Sequence, residues 1–389
     1  MNKVKLLAKK TLYRDREFVT FMSVMVRIPT SILQEFRTHR IINQIDTDST
    51  ANIMTDNILS MSANSSRAIP FETMVKNIKE SMFYPKFTKN KAGMNGEVVK
   101  DEEELKEINE DWEDLLLNEE NGFLRKVSDF VSKHNLHKQT VNRLIDRWAY
   151  TNTILSGTEW DNFFKLRCPK YSLPAYKGYT FYSKKSFKEF LTLKGINIDE
   201  KEYDLYDSGT SQNEFRDIAE ELYDLYYGEH LDTEHVILNS YTACIPFYEK
   251  AVTILNNFKD VDYLDKPSYT AYLFLISASL CARISFDKVE EENTVQEHLK
   301  RAINCLSRGE WGIAEHQAIA MPEVFIPHFN TNKVDVNLEN GRFIFSKEEG
   351  VVYTNKLFLN LRTIITHFTY NDSKNILKNL VEFFRTQIY

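Results

Sequence analysis

The stretch EFVTFMSVMVRI, residues 17–28, is rich in the β-branched and aromatic residues that are typical of a strand. Residues 2–8 form a second, shorter run of the same kind. After Pro70 the pattern changes, because FETMVKNIKESM carries apolar residues every three or four positions, which predicts an amphipathic helix. Two early strands followed by many helical segments predict an α+β fold in which helices dominate.

Helical patterns recur along the rest of the chain. They predict helices at 31–40, 71–82, 101–120, 122–133, 137–166 with a break near Gly157, 213–227, 236–256, 268–281, 298–306 and 371–388. Strand-like pieces lie within 329–354. We expect a single enlarged domain over 1–389, with insertions at 41–57 and 169–210 and a C-terminal extension over 321–389 that holds strands and a final helix.

Composition excludes several classes of protein. The 389 residues carry a net charge of −7, which argues against a general binder of nucleic acid or of anionic membranes. The four cysteines are far apart and form no CxxC pair, so we expect neither a thiolate metal site nor a disulfide framework. This use of cysteine predicts a cytoplasmic protein. The longest apolar stretch, residues 271–284, is too short to span a bilayer and predicts a buried helix.

Several generic catalytic motifs are missing from the sequence. There is no Walker loop, no GxGxxG and no GxSxG elbow. The pairs His134/His137 and His230/His235 have no carboxylate at the spacing of a zinc protease, so no metal site is expected.

The segment SMSANSSRAIP, residues 60–70, places four serines and an arginine just before a predicted helix. Hydroxyls, backbone N–H groups and a guanidinium at such a position form a phosphate cradle, and an elaborate helix cap is the alternative. The pair His39-Arg40 ends the preceding predicted helix, where it either complements the helix dipole or contacts an anionic cofactor.

Five blocks of this sequence, taken together, resemble the flavin-dependent thymidylate synthases, particularly the longer forms of bacterial viruses. The blocks are EFRTHR at 35–40, the serine-arginine segment at 60–70, HKQTVNR at 137–143, TEWDNFFKLR at 158–167 with SQNE at 211–214, and CARISF at 281–286 with GEWGIAEH at 309–316. The last block comes first in the common bacterial form, so the resemblance implies a circularly permuted chain, which is tolerated where termini lie close together.

The resemblance implies a helix-rich thymidylate-synthase-complementing-protein-like fold with a central antiparallel sheet, and a homotetramer whose active sites are shared between subunits. It implies C5 methylation of deoxyuridine monophosphate (dUMP), with FAD as the hydride source and with methylenetetrahydrofolate and NADPH as co-substrates. The implied flavin contacts are His39, Arg40, Asn162 and His316. The implied nucleotide contacts are Ser65, Ser66, Arg67 and Arg143, chiefly to phosphate, with Arg167 facing the uracil ring as the catalytic group.

This sequence departs from the family pattern in the signature itself. Thr38 replaces its first arginine, and Ser62 and Ala63 stand where an Asn-Glu pair is expected. Two alternatives therefore remain open: a related pyrimidine-nucleotide C5 modifier such as a hydroxymethylase, and a catalytically degenerate nucleotide-binding subunit.

Overall fold

The computed structural model describes most of the chain. The described residues are 3–14, 17–33, 60–63, 65–90, 92, 96–158, 160–228, 233, 236–238, 241–286, 288–320, 335–339, 342–347, 350–353, 358–365 and 375–389. They form a helix-rich α+β fold with antiparallel sheets, as the sequence predicts. The predicted insertion at 41–57 and most of the predicted helix at 31–40 lie outside the described residues.

The first sheet is built from the two early strands and two later ones. Strands β1 (Lys3–Arg14) and β2 (Glu17–Pro29) form a long antiparallel pair, which confirms the sequence prediction. The sheet order is β1-β2-β6-β3, where β3 is Ser60–Ala63 and β6 is Tyr150–Gly157. Every pairing in this sheet is antiparallel. Strand β6 pairs with both β2 and β3 and therefore lies between them.

The prediction of a helix over 137–166 is wrong in its middle part. The structure has α4 (Lys138–Ile145), a short 3₁₀ turn, strand β6 and then α5 (Asp161–Arg167). The segment YTNTILSG carries β-branched residues, whose restricted side chains favour a strand. Because β2 and β3 supply hydrogen-bond partners on both edges, the tertiary fold overrides the apparent helical spacing.

The prediction of one helix over 236–256 is also wrong in part. The structure has strands β7 (Val236–Leu238) and β8 (Tyr241–Cys244), followed by a helix over only Tyr248–Asn256. The break has a local cause, since Phe247 has a positive φ of 57° directly before the helix, which separates it from the strand pair.

Seven other helices agree with the sequence predictions to within a few residues. They are α1 (Phe71–Glu80), α2 (Glu102–Leu117), α3 (Phe123–His134), α7 (Asn213–Tyr227), α9 (Lys266–Arg283), α10 (Val295–Ser307) and α11 (Ile376–Phe383). The helix after the strand pair is α8 (Tyr248–Asn256), and α6 (Lys184–Lys194) lies in the predicted insertion, where no helix was predicted. A small antiparallel pair, β4 (Thr88–Lys89) and β5 (Glu97–Val98), lies between α1 and α2.

Two further sheets contain strands of the C-terminal third. Strands β10 (Asp335–Glu339), β11 (Arg342–Lys347) and β12 (Gly350–Tyr353) form an antiparallel sheet, which confirms the predicted strands in 329–354. The other sheet has the order β13-β9-β8-β7, where β9 is Ala318–Ala320 and β13 is Phe358–Asn360. Residues of β13 and α11 pack in the same clusters as earlier elements, so these parts of 321–389 join the main core.

Helix α9 lies at the centre of the largest hydrophobic cluster. The helical segment Lys266–Phe286 is long and apolar enough to cross a membrane, but 78% of its most apolar window is buried inside the protein. Helices α8, α10 and α11 contact α9. An all-round apolar helix is expected where neighbours cover every side, so packing accounts for its composition.

The predicted insertion at 169–210 has a small core of its own. Tyr171, Phe187, Leu191 and Tyr203 form a separate buried cluster around α6. The helix begins with a capping box between Ser183 and Ser186 and ends at Gly195, whose φ is 65°. Local signals therefore set the bounds of this helix.

Candidate nucleotide site

A tight turn follows β3 and carries the serine-arginine segment. The Ala68 N–H donates to the Ser65 carbonyl at 2.8 Å, which places Ser66 and Arg67 at the two central positions. The Ser65 N–H donates to the Ser285 carbonyl at 3.1 Å and ties the turn to the segment after α9. Within the described residues, the backbone N–H groups of Ser66 and Arg67 have no hydrogen-bond partner, so both are available to a ligand.

Two side chains of helix α4 donate hydrogen bonds to the backbone carbonyl groups of this turn. The Asn142 amide donates to the carbonyls of Ser66 and Ile69 at 2.6 and 2.9 Å, and the Lys138 ammonium donates to the Ala68 carbonyl at 2.7 Å. Residues four apart lie on one face of a helix, so Lys138 and Asn142 act together. Because the carbonyls are engaged by α4, the turn is left with its N–H groups as the free polar atoms, an arrangement that suits an anion.

Arginines flank the turn. Arg67 is exposed on the turn, and Arg143 is exposed on α4, one residue after Asn142. No described residue forms an ion pair with either guanidinium. Guanidiniums and backbone N–H groups are the kinds of donor that phosphate requires.

One carboxylate also belongs to this cluster. Asp146 is half-buried at the C-cap of α4, one helical turn after Asn142. Burial raises the pKa of Asp146, while the Ser66 hydroxyl and the charges of Arg147 and Arg143 lower it, with a net rise. The negative end of the α4 dipole lies at the same place and also opposes ionisation.

His316 is fully buried and joins three strands of the first sheet. Its Nδ1 lies 2.8 Å from the Ser156 hydroxyl on β6, and its Nε2 lies 2.8 Å from the Ser62 hydroxyl on β3. Ser156 in turn donates its proton to Ser23 on β2 at 2.7 Å. Because Ser156 has only that proton, Nδ1 must be the protonated nitrogen, and Nε2 accepts from Ser62.

This bonding bears on the role implied for His316. Both ring nitrogens are engaged by serines of the same chain, so a direct flavin contact requires the Ser62 or the Ser156 hydrogen bond to open. Asn162 is half-buried on α5, and its amide has no partner among the described residues. His39 and Arg40 lie outside the described residues.

Arg167 ends α5 and lies beside the start of α7. Its guanidinium lies over the Phe215 ring, 5.0 Å from the centroid, and its carbonyl accepts from the Ser211 hydroxyl at 2.7 Å. The two blocks of the sequence at 158–167 and 211–214 therefore meet in space. The contact of a guanidinium with an aromatic face also orients the side chain of Arg167.

The first sheet separates the two groups of candidate residues. Leu155 of β6 packs with Phe163 of α5, whereas the neighbouring Ile154 packs with α9 on the opposite face. His316 lies on the Ile154 side because it bonds Ser156, and the turn is tied to the segment after α9. Among the described residues, no hydrogen bond or ion pair joins the turn to α5.

Arg283, in the CARISF block, has a structural set of contacts. It is buried, its Nε donates to the Lys288 carbonyl, and its guanidinium bonds Asn293 and Glu291. These bonds hold the loop between α9 and α10, and they leave the neighbouring Ser285 carbonyl to accept the hydrogen bond from Ser65. This block therefore stabilises the turn through the Ser285 carbonyl.

Sequence reasoning missed three residues that build the site: Lys138, Asn142 and Asp146. Their spacing of four and four along α4 was a signal, because it places three polar side chains on one helix face next to Arg143. The prediction of a single long helix over 137–166 hid this pattern, because it did not separate α4 from the segments that follow it. Ser62 and Ser156 were missed as partners of His316 because β6 was not recognised.

Comparisons with family models, curated proteins and solved structures found no match to this chain.

Proposed function

We propose that this protein is a flavin-dependent thymidylate synthase with a circularly permuted chain, which methylates dUMP at C5. The resemblance of five sequence blocks motivates the proposal. The observation that carries it is the turn at 65–68: it holds Arg67 and two N–H groups without a partner among the described residues, and Asn142, the neighbour of Arg143 on α4, bonds to it across more than seventy residues of sequence. That cluster has the donors needed for the phosphate of a nucleotide.

Each residue of the turn has a defined task in the proposal. The N–H groups of Ser66 and Arg67 bind phosphate oxygens, and the guanidiniums of Arg67 and Arg143 neutralise the charge. Asn142 and Lys138 hold the turn in place before the ligand arrives, which lowers the entropic cost of binding. Ser65 anchors the turn through its N–H to Ser285.

Arg167 is the proposed catalytic group, at the pyrimidine ring. A guanidinium that faces the ring carbonyl stabilises the negative charge that develops when C5 attacks an electrophilic carbon. The Phe215 ring and the Ser211 contact hold the end of α5, so the guanidinium is oriented before substrate binds. The four cysteines are buried, and no step of the proposal needs a thiol nucleophile.

The flavin, with methylenetetrahydrofolate as carbon donor and NADPH as reductant, supplies the hydride when bound. Asn162 fits a contact to it, since its amide is half-buried and has no partner among the described residues. For His316 we propose a different task. It keeps β3 in register with β6 through Ser62 and Ser156 and so positions the turn that follows β3.

The separation of α5 from the turn supports a homo-oligomer in this proposal. Because the sheet lies between Arg167 and the segment after α9, one chain does not bring both groups of residues to one ligand by the contacts described. A second copy that contributes Arg167 to the turn of its neighbour completes the site. This agrees with the shared active sites of the homotetramer that the resemblance implies.

The test is a purified protein, its absorption spectrum and its product. We expect bound flavin, and turnover of dUMP with methylenetetrahydrofolate and NADPH to a product heavier by one CH2, because a methyl group replaces the C5 hydrogen, as identified by mass spectrometry. Arg167→Ala mixed with Arg67→Ala should regain partial activity if subunits exchange and share sites. A hydroxymethylated product would support the related C5 modifier, and a colourless protein that binds nucleotide without turnover would support the degenerate subunit.

A further inference from the structure

The segment 169–210 carries three aromatic side chains that lie outside its buried cluster: Tyr176, Tyr179 and Phe190. The Phe190 ring is stacked on the Tyr179 ring, with the centroids 5.7 Å apart, and it meets the Tyr176 ring edge-on at 5.3 Å. Tyr179 is 59% exposed, so a large part of this stack faces solvent. Exposed apolar side chains that cluster, rather than lie singly, mark interaction sites.

A tight turn brings the two tyrosines together. The Tyr179 N–H donates to the Tyr176 carbonyl at 3.3 Å, and Gly178, at the third position of this turn, has a φ of 96°. Glycine adopts such a φ without strain, so the sequence YKGY specifies the turn. The rings of the turn contact Phe190, and the ammonium of Lys194, four residues later on the same face of α6, lies over the rings of Tyr176 and Phe190 at 6.0 and 5.9 Å.

Positive charge accompanies the rings. Residues 176–194 contain five lysines and one acidic residue, although the whole chain carries a net charge of −7. Lys184 and Lys188 pair with acidic residues of the same segment. Three exposed lysines form no ion pair with any described residue: Lys177, Lys185 and Lys194. The charge of the chain is therefore unevenly distributed, and the surface around the aromatic stack is positive.

We propose that this surface binds a short stretch of single-stranded nucleic acid. The aromatic platform, as we call it, consists of the three rings and the three unpaired lysines: Tyr176, Tyr179, Phe190, Lys177, Lys185 and Lys194. Bases stack on aromatic rings whatever their sequence, and ammonium groups contact the phosphates. The platform includes neither the turn at 65–68 nor Arg167, so the inference is independent of the proposed synthase function.

The composition of the platform favours a single strand over a membrane or a duplex. Binding to a membrane surface scales with the apolar area that enters it, and Leu193 is the exposed aliphatic residue of α6 beside the rings. A duplex keeps its bases stacked on one another, so it would contact the lysines alone. A single strand offers both free base faces and phosphates, which match the two kinds of group that the platform presents.

The test is fluorescence anisotropy of a labelled oligothymidylate and a labelled oligouridylate of equal length, each titrated with the full chain. We expect a dissociation constant on the order of 10 μM at low salt, and a slope of log affinity against log salt of about −2, because three ammonium groups contribute about 0.7 each. A duplex of the same length should bind about tenfold more weakly, since it offers no free base to the rings. Binding of either strand supports the proposal, and the tighter one identifies the kind of nucleic acid.

Variants of the platform separate stacking from charge. Tyr179→Ala should weaken binding about tenfold, through loss of one stacked base, and should leave the salt slope unchanged. Lys177→Gln should reduce the salt slope by about 0.7. The matched controls are Tyr263→Ala, a tyrosine between α8 and α9 that is 86% exposed, and Lys188→Gln, whose ammonium is already paired with Glu200. Both controls should bind as the parent does, and circular dichroism checks that every variant is folded.

Several outcomes would overturn the inference. They are equal affinity of the parent and a folded Tyr179→Ala protein, a duplex bound as tightly as a single strand, and no binding of either strand at low salt. Binding to vesicles that contain phosphatidylserine, without binding to the strands, would favour a membrane surface instead. Because Tyr179→Ala leaves the turn at 65–68 intact, strand binding through that turn would persist in this variant and count against the platform. If Tyr179-dependent binding occurs but no C5-modified nucleotide forms, the inference stands and the proposed synthase activity is wrong.

Discussion

The Asn142 amide nitrogen lies 2.6 Å from the Ser66 carbonyl oxygen, although the two residues are 76 positions apart in the sequence. The same nitrogen donates to Ile69, and the side chain is fully buried. One amide group thus fixes both ends of the segment that carries Arg67. A buried donor with two backbone acceptors is a strong determinant of local geometry, since losing it leaves two carbonyls without a partner.

Asn142→Leu should lower the free energy of unfolding by about 2–4 kcal/mol, because two buried carbonyls lose their donor. It should also weaken sulfate or dUMP binding more than it lowers turnover at saturation, since the turn is no longer held in place. Gln139→Leu, an exposed residue of the same helix, is the matched control. Chemical denaturation and titration check both expectations, and unchanged affinity in a folded Asn142→Leu protein would contradict the assignment.

Arg167→Ala should give a folded, yellow protein with weak nucleotide binding and little product. Loss of a donor to developing negative charge costs on the order of 3 kcal/mol, roughly a hundredfold in rate. Lys165→Ala, exposed on the same helix, should retain activity. Parental turnover of dUMP by Arg167→Ala would remove Arg167 from the proposed site, and failure to fold would favour a structural role against Phe215.

His316→Phe should lower the free energy of unfolding by about 2 kcal/mol, because the ring keeps its volume but loses two hydrogen bonds to Ser62 and Ser156. In a double-mutant cycle with Ser62→Ala, we expect a coupling of about 0.5–1.5 kcal/mol. Denaturant unfolding of the two single variants and the double variant gives this value. Strict additivity would show that the Ser62 hydrogen bond contributes nothing in solution.

His298 should make stability depend on pH. It is fully buried between α9 and α10, where burial and then Arg301 and Arg283 lower its pKa to about 4. The unfolded chain, whose histidines titrate near 6.5, therefore binds a proton first as the pH falls. The free energy of unfolding should decline from about pH 6.5 to about pH 4, by on the order of 3 kcal/mol in total.

The variant His298→Gln should abolish that part of the decline, and His134→Gln, an exposed histidine of α3, should retain it. Urea unfolding at half-unit pH steps measures the slope. A parent and a His298→Gln protein with the same slope between pH 6.5 and 4 would show that His298 does not carry this linkage.

Phe187→Ala should destabilise the segment 169–210 without changing anion binding at the turn. Phe187 is fully buried in the separate cluster around α6, and truncation of such a residue typically costs about 3–5 kcal/mol. Limited proteolysis should cut this segment sooner than in the parent. Leu193→Ala is the control, since Leu193 is 80% exposed on the same helix. Cleavage at the same rate in Phe187→Ala would contradict a separate local core.

The local sequence determined much of the secondary structure by itself. The β-branched run at 17–28 gave the long strand β2, and regular apolar spacing gave α1, α3, α7 and α10 close to their observed bounds. The apolar stretch at 271–284 was recognisable as a buried helix for the same reason. These features depend on a period of two or 3.6 residues, which is readable without knowledge of any distant partner.

Only the tertiary structure decided the nature of 150–157 and the composition of the candidate site. Residues YTNTILSG become a strand because β2 and β3 lie on either side to complete their hydrogen bonds. Asn142 gains its role from contacts with Ser66 and Ile69, and Ser62 from its contact with His316, all distant in sequence. The residue types of the serine-arginine segment alone thus indicated a binding site for an anion. Which atoms are free to bind that anion is set by partners that only the folded chain brings within reach.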